Sequence, residues 1–218
     1  QLFYTNSKYI DNQIIVNKNE TSLSGGDLNQ IKKGSDSNNK NVSLYPVLEY
    51  LYMNYNILHV LPSRYQICLP NLITLNLEAN YIIEILENSF TALKSLKVLI
   101  LDKMNSGMTK IERLAFNIST LTSLYMSKNK IVFDSADIST QLFEGCSNLK
   151  VLSIDNNQLD GLSEDMFEAM LNNTPALKYI YLSSTKMRFI PVKAFSQLKN
   201  LEKLYIYVND ITEIPPGA

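Results

Sequence analysis

The sequence predicts an α/β solenoid, in which each coil lays one short strand on a parallel inner sheet and returns along an irregular or short-helical outer side. Two observations predict it. Apolar residues recur at fixed offsets seven times between residues 48 and 218, and a line of phenylalanines follows them along most of that length. A coil this short cannot bury its own apolar face, so it must stack on its neighbours.

The offsets are those of L-x-x-L-x-L-x-x-N-x-L, with starts at 48, 72, 96, 121, 149, 177 and 201. The first copy reads Leu48, Leu51, Met53, Asn56, Leu58, and the last reads Leu201, Leu204, Ile206, Asn209, Ile211. Residues one, four and six of each copy point inward from a strand and its approach. The asparagine stands where the chain leaves the strand, and its side chain offers both a donor and an acceptor to turn backbone that would otherwise be orphaned. Thr185 can do part of that work with its hydroxyl. Met104 cannot, and the expectation is that neighbouring Asn105 shifts in register to replace it. Phe90, Phe116, Phe143, Phe167 and Phe195 should stack as a spine along the outer side. Two repeats of 28 residues carry their extra length on the return path, in VFDSADISTQ before Phe143 and in EAMLNNTPA after Phe167. The second insert should add a helical turn, and the inner sheet should run unbroken.

These repeats resemble the leucine-rich repeat family of animal extracellular proteins. FIPVKAFSQLKN, residues 189–200, is similar to its typical repeat class nearly letter for letter. Toll-like receptor ectodomains and the secreted leucine-rich immune proteins of insects are similar in style. The resemblance covers residues 48–218 and implies a horseshoe-shaped, extracellular recognition module. Two departures stand against the pattern: no cysteine-rich cap is visible at either end, and the last repeat stops at IPPGA before its motif is complete. The chain is therefore expected to be part of a longer protein.

Residues 1–47 fit the repeat less well. Ile14, Val16 and Asn19 in QIIVNKN suggest an irregular first coil, and the polar stretch through GSDSNNKNVS suggests a mobile loop. Gly25–Gly26 is no phosphate cradle, because no lysine and helix follow at the required offsets. The chain opens at Gln1 without a charged-then-apolar leader, so any signal peptide is expected to have been removed.

Totals exclude several classes. The net charge is −1, with acids and bases scattered, which gives no footprint for nucleic acid and no basic face for an anionic membrane. No apolar run approaches the roughly 18 residues of a membrane span. A membrane association would run through another part of the protein. The two cysteines, Cys68 and Cys146, are too few for a disulfide scaffold and lack neighbours for a zinc site. Three stacked coils separate them by about 14 Å, beyond the roughly 7 Å a disulfide allows. Both read as buried core thiols, with Cys68 the one placed to bond an unseen segment or another chain. Four N-x-S/T sequons occur, at Asn19, Asn41, Asn117 and Asn172. That number is what chance gives in so asparagine-rich a chain, but none falls on an outward strand position.

The inner sheet has a wet face, to which the second, third, fifth, seventh and eighth positions of each repeat project or which they border. Tyr50, Tyr52, Tyr55, Tyr125, Tyr179, Tyr181, Tyr205 and Tyr207 fall there, eight of the thirteen tyrosines. Tyrosine is at home in strands, yet its large, stiff ring and hydroxyl tip also make it the side chain of protein-binding surfaces. The charges between them, such as Lys97, Asp102, Lys128 and Asp155, mix signs and read as a solubilising surface. No nucleophile–base constellation is present: His59 is the one histidine, on a loop, and catalytic signatures such as G-x-S-x-G are absent. The expectation is a non-catalytic module without cofactor or metal. It would bind a protein or microbial ligand in innate immunity or receptor signalling, in secreted form or as an ectodomain. The alternative is a structural or adhesive module of matrix or cell surface that self-associates, and a dimer is open on either reading.

Overall fold

The computed structural model describes residues 13–16 and 21–24 as backbone, and residues 47–61, 69–133 and 141–216 in full. In chain order the elements are β1 (Gln13–Val16), β2 (Thr21–Ser24), β3 (Tyr50–Tyr52), β4 (Thr74–Asn76), β5 (Glu84–Ile85), β6 (Val98–Ile100) and β7 (Lys110–Ile111). They continue with β8 (Ser123–Tyr125), β9 (Val151–Ser153), α1 (Glu164–Leu171), β10 (Tyr179–Tyr181), α2 (Val192–Ser196) and β11 (Lys203–Tyr205).

The main sheet has nine strands in the order β11-β10-β9-β8-β6-β4-β3-β1-β2. Seven of them, β3 to β11 without β5 and β7, are parallel and in one register. That register aligns Leu51, Leu75, Leu99, Leu124, Leu152, Ile180 and Leu204, the fourth position of every repeat. The strand period of two then sends the fourth residue into the core and the third and fifth to the open face. The core is the stacked interior of the coils: Leu99, Leu124, Leu152 and Ile180 are fully buried, as are Leu96, Leu121, Leu149 and Leu177 at the first position. The solenoid with a parallel inner sheet is thus the fold of this chain.

Past each strand the backbone ladder continues by single bonds. The eighth-position N–H donates to the seventh-position carbonyl of the next coil, from Tyr55 to Glu78 at 2.8 Å through Ser184 to Tyr207 at 3.0 Å. The chain turns out of the sheet at this position in a left-handed conformation. Tyr55, Ala79, Lys103, Lys128, Asn156, Ser184 and Val208 all have φ between 55° and 61°. A side chain with a β-carbon is disfavoured there by about 1–2 kcal/mol, and a β-branched one most. Val208→Gly should therefore raise unfolding stability by about 1 kcal/mol, read as an increased urea midpoint at unchanged slope. A destabilised variant would mean that the Val208 side chain contributes packing that outweighs its strain.

The asparagines form a buried ladder. Asn80 donates through Nδ2 to Met53 O at 2.9 Å and Leu77 O at 2.7 Å, and its Oδ1 accepts from Leu58 N at 3.1 Å. Asn157 and Asn209 repeat the arrangement. Thr185 reproduces one arm, Oγ1 donating to Leu182 O at 2.7 Å. Asn105 does not replace Met104: it is exposed and reaches only Ala79 O at 3.3 Å, while Met104 stays buried at the ladder position. Met104 N donates to Asn129 Oδ1 at 2.7 Å, the bond that Asn129 N and Thr185 N also make to the asparagine of the next coil, so the backbone at this position keeps its partner.

On the outer side Phe90, Phe116 and Phe143 stack with ring centroids 6.2 and 6.3 Å apart. Phe167 meets Phe189 edge-on at 6.0 Å, and Phe195 is half-buried. The helix expected after Phe167 is α1, which begins earlier and contains it. Ser163 caps α1 by accepting from Met166 N, and Glu164 and Asp165 sit where the helix dipole favours acids. A second, two-stranded parallel sheet, β5 with β7, joins two coils on the return path and was not expected from the repeat pattern.

The N-terminal segment corrects one expectation. β1 pairs antiparallel with both β2 and β3, so it is an arm of a hairpin laid on the sheet edge, where a first solenoid coil would run parallel. The polar stretch 25–46, most of the insert before Phe143, Cys68, Asn19 and Asn41 lie outside the described residues. Cys146 is fully buried as expected; its Sγ donates to Phe116 O at 2.9 Å, and burial pushes its thiol up to about 12.

Candidate binding face

All eight tyrosines singled out above lie on the open face or its border, but they do not form one surface. Tyr50, Tyr52 and Tyr55 make an exposed group on the first coil, Tyr55 being 69% exposed. The next two coils place Thr74, Asn76, Val98 and Ile100 in the same rows. Tyr125, on the fourth coil, lies three coils from Tyr52, roughly 14 Å along the sheet. The second group is Tyr179, Tyr181, Tyr205 and Tyr207.

This second group is held by its neighbours. β10 and β11 bring Tyr181 opposite Tyr205, and their rings stack at 4.7 Å with 3° between planes. The hydroxyl of Tyr179 donates to Glu202 Oε2 at 2.9 Å, and Lys178 Nζ meets Glu202 Oε1 at 2.5 Å. Lys203, opposite Tyr179 in the register, lies over its ring at 5.7 Å. The bond to Glu202 raises the Tyr179 phenol above its ordinary value, and the bonds from Lys178 and Tyr179 lower the Glu202 carboxyl. Tyr207, beside them, is 63% exposed. The result is an aromatic platform with fixed rings at its centre and one free ring at its rim. Glu202, Lys203 and Lys178 were not singled out from the sequence. The signal was available: they occupy second and third motif positions, and the register places them beside Tyr179.

A row of seventh-position side chains borders the rings. Asp102 Oδ1 accepts from Ser127 N at 2.6 Å, Asp155 Oδ1 accepts from Ser183 N at 2.6 Å, and Ser127 and Ser153 hydroxyls bond each other at 2.7 Å. Burial raises the Asp102 carboxyl from 3.8 to about 6; the Ser127 N–H opposes this, the Glu78 carboxylate adds to it, and Lys103 and Lys128 oppose it. Burial raises Asp155 as well. These charges are thus partly desolvated, which differs from the fully solvated surface expected of them.

The folded state binds the Asp102 proton more tightly than the unfolded chain does. Its charge therefore destabilises the fold above about pH 6, and that loss is relieved as the pH falls towards about 4. Asp102→Asn keeps the acceptor for Ser127 N–H and removes the charge. It should stabilise the chain by about 1 kcal/mol at pH 7.5, after discounting for solvent screening, and by almost nothing at about pH 4. Urea unfolding at the two pH values checks this; equal gains at both would remove titration as the cause.

His59 stands outside this face, stacked on Tyr81 at 5.4 Å. An open groove of about 580 Å³ runs along the strand-entry edge, lined by Glu49, Ile73, Lys94 and Lys97 among others. Asn117 and Asn172 are exposed on the return path, away from the tyrosines; Asn117 Nδ2 bonds Asn88 Oδ1 at 3.3 Å, and Asn172 caps α1. Among the described residues no group of three or more His, Cys, Asp or Glu could hold a metal ion, and no helix is long and apolar enough to cross a membrane.

Comparison with known proteins agrees with the repeat. Residues 131–218 match the BspA type leucine rich repeat region, in six copies. The chain is 30% identical over 168 residues to mouse podocan, covering 76% of this chain and 21% of podocan. It is 29% identical over 110 residues to the zebrafish transforming growth factor beta activator LRRC33, covering 50% of this chain and 16% of that one. The chain therefore spans only a small part of either relative. Among solved structures, a leucine-rich repeat protein of Leptospira interrogans superposes with a TM-score of 0.59 at 28% identity, over 76% of this chain and 38% of that chain. Human 5T4 (trophoblast glycoprotein) superposes with a TM-score of 0.60 at 20% identity, over 77% of this chain and 63% of its own, a likeness of fold alone.

Proposed function

We propose that this chain is a non-catalytic recognition module that binds a protein partner through the tyrosines of its open sheet face. The observation that carries this reading is the stacked pair Tyr181–Tyr205 flanked by Tyr179 and Tyr207. Rings already held in place lose little conformational freedom on binding, so their contact area converts efficiently into affinity. The family match and the repeat-bearing relatives support a binding role. The module works outside the cell, in a secreted protein or an ectodomain, and serves innate immunity or receptor signalling. That finer assignment rests on the resemblance of FIPVKAFSQLKN, residues 189–200, to the typical repeats of animal extracellular proteins. Glycans on Asn117 and Asn172 would leave the tyrosine face open, which is compatible with such a setting. The module needs no cofactor, binds no nucleic acid, and meets a membrane only through other parts of its protein.

The test is capture from native extracellular fluid or cell-surface extract, with the chain beside a variant carrying Tyr179, Tyr181, Tyr205 and Tyr207 as serine, both shown to be folded. A protein retained by the original and released by the variant is the expected result. Equal retention by both would move the site off this face, and retention chiefly of further copies of the chain itself would favour an adhesive role.

A further inference from the structure

The fifth motif positions of the last four coils form a ladder across the open face. Tyr125 stands opposite Ser153, Ser153 opposite Tyr181, and Tyr181 opposite Tyr205. Where two rings occupy adjacent rungs they stack at 4.7 Å with nearly parallel planes, as the strand spacing of about 4.8 Å dictates. Tyr125 and Tyr181 are two rungs apart, roughly 10 Å at the backbone, and the rung between them ends at a serine hydroxyl. Two rings at that separation leave space for one further planar group in contact with both faces. Ser153 forms the floor of the gap, only 8% exposed, its hydroxyl tied to that of Ser127 at 2.7 Å.

Two polar features adjoin the gap. Asp155 follows Ser153 by two residues on the same strand exit, so it projects to the same face. One of its oxygens accepts from Ser183 N at 2.6 Å, and nothing among the described residues takes the other. Burial holds this carboxyl above its ordinary value, with the Ser183 N–H and the Lys128 charge opposing the rise. Ser183 lies beside it on the next coil, 2% exposed, with an Oγ that has no hydrogen-bond partner. A planar gap next to a carboxylate with one oxygen open calls for a planar cation with several donors.

We propose that an arginine side chain of the protein partner fills the missing rung at Ser153, its guanidinium between Tyr125 and Tyr181 and its N–H groups on Asp155. This rests on the binding face proposed above and specifies what that face reads. Guanidinium stacks on aromatic rings and forks onto a carboxylate, which no other side chain does together. A lysine would meet Asp155 but leave the gap unfilled. A tyrosine or phenylalanine would fill the gap but offer Asp155 no fork of donors.

The experiment titrates the isotopically labelled chain with N-acetylarginine amide, beside N-acetyllysine amide and N-acetyltyrosine amide, and reads backbone amide shifts. Arginine amide should give saturable shifts centred on Tyr125, Ser153, Asp155 and Tyr181, at roughly tenfold tighter affinity than lysine amide. Asp155→Asn, which keeps an acceptor for Ser183 N–H, should weaken arginine binding by about tenfold or more. Ser153→Tyr should abolish it by filling the rung, and if that variant does not fold the Asp155→Asn comparison stands alone. Equal or tighter binding of either comparison amide, shifts centred on other coils, no shifts at all, or an Asp155→Asn variant that binds as before would each overturn the assignment. If the native partner is lost by the tyrosine variants yet fully kept by Asp155→Asn, the tyrosine face remains the binding site and the arginine assignment alone falls.

Discussion

Replacing Phe116 by alanine should lower the unfolding free energy by about 3–5 kcal/mol, the range for truncating a buried phenylalanine. Phe116 is fully buried between Phe90 and Phe143 at 6.2 and 6.3 Å, so the change also removes two aromatic contacts. Each such contact adds about 0.5–1.5 kcal/mol beyond area burial. The position is central in a second sense. A solenoid is held by contacts between neighbouring coils, so a defect in the middle weakens the coupling of the two ends. Urea unfolding of the variant should therefore show a lower midpoint together with a broader transition. Phe195, half-buried where Phe116 is enclosed, serves as the comparison: Phe195→Ala should cost about half as much or less. If the two variants lose the same amount, the spine does not contribute through its enclosure.

A loss of about 3–4 kcal/mol is expected from Asn157→Ala, by a different route. Asn157 is almost wholly buried and makes contacts in two coils. Nδ2 donates to Met126 O at 2.9 Å and Ile154 O at 2.8 Å, and Oδ1 accepts from Ile131 N at 3.0 Å and Asn129 N at 3.3 Å. Alanine leaves these backbone groups buried without partners, at about 1–3 kcal/mol for each left unsatisfied, reduced where local relaxation admits water. Asn157→Thr should recover part of the loss, because Thr185 at the same position one coil on already bonds its own sixth-position carbonyl. The exposed Asn105 is the control, and Asn105→Ala should change stability by less than about 0.5 kcal/mol. Midpoints for the three variants in one urea series decide the matter. A threonine variant no better than alanine would show that only the cross-coil arm of Asn157 carries the energy.

Much of this architecture was legible in the sequence because the solenoid is dictated locally. Leu51, Leu75 and their counterparts must face inward whatever lies between them, and the spacing alone sets the register that aligns them. What was illegible depended on contacts outside the repeat. β1 lies antiparallel on β3, and no periodicity distinguishes an edge hairpin from a worn first coil. Asn105 was expected to replace Met104 by adjacency in sequence, but it lies exposed and bonds Ala79 O, while Met104 stays buried at the ladder position. The tyrosines occupy outward positions of the repeat, and their division into two groups follows from Thr74, Asn76, Val98 and Ile100, which carry no signal of their own. Asp102 and Asp155 looked like ordinary surface charge, because burial on a sheet face depends on neighbours one coil away.

The left-handed turn at the eighth position has a consequence for how such a chain can diversify. Tyrosine, alanine, lysine, asparagine, serine and valine all adopt it here, so the coil geometry imposes the conformation and the residue type does not. Each coil thereby offers one site at the border of the open face whose occupant can be exchanged while the backbone stays as it is. Seven such sites, one coil apart, amount to a row of interchangeable keys. Mutation, or a laboratory library randomised at Tyr55, Ala79, Lys103, Lys128, Asn156, Ser184 and Val208, could re-cut specificity along that row without redesigning the scaffold beneath it.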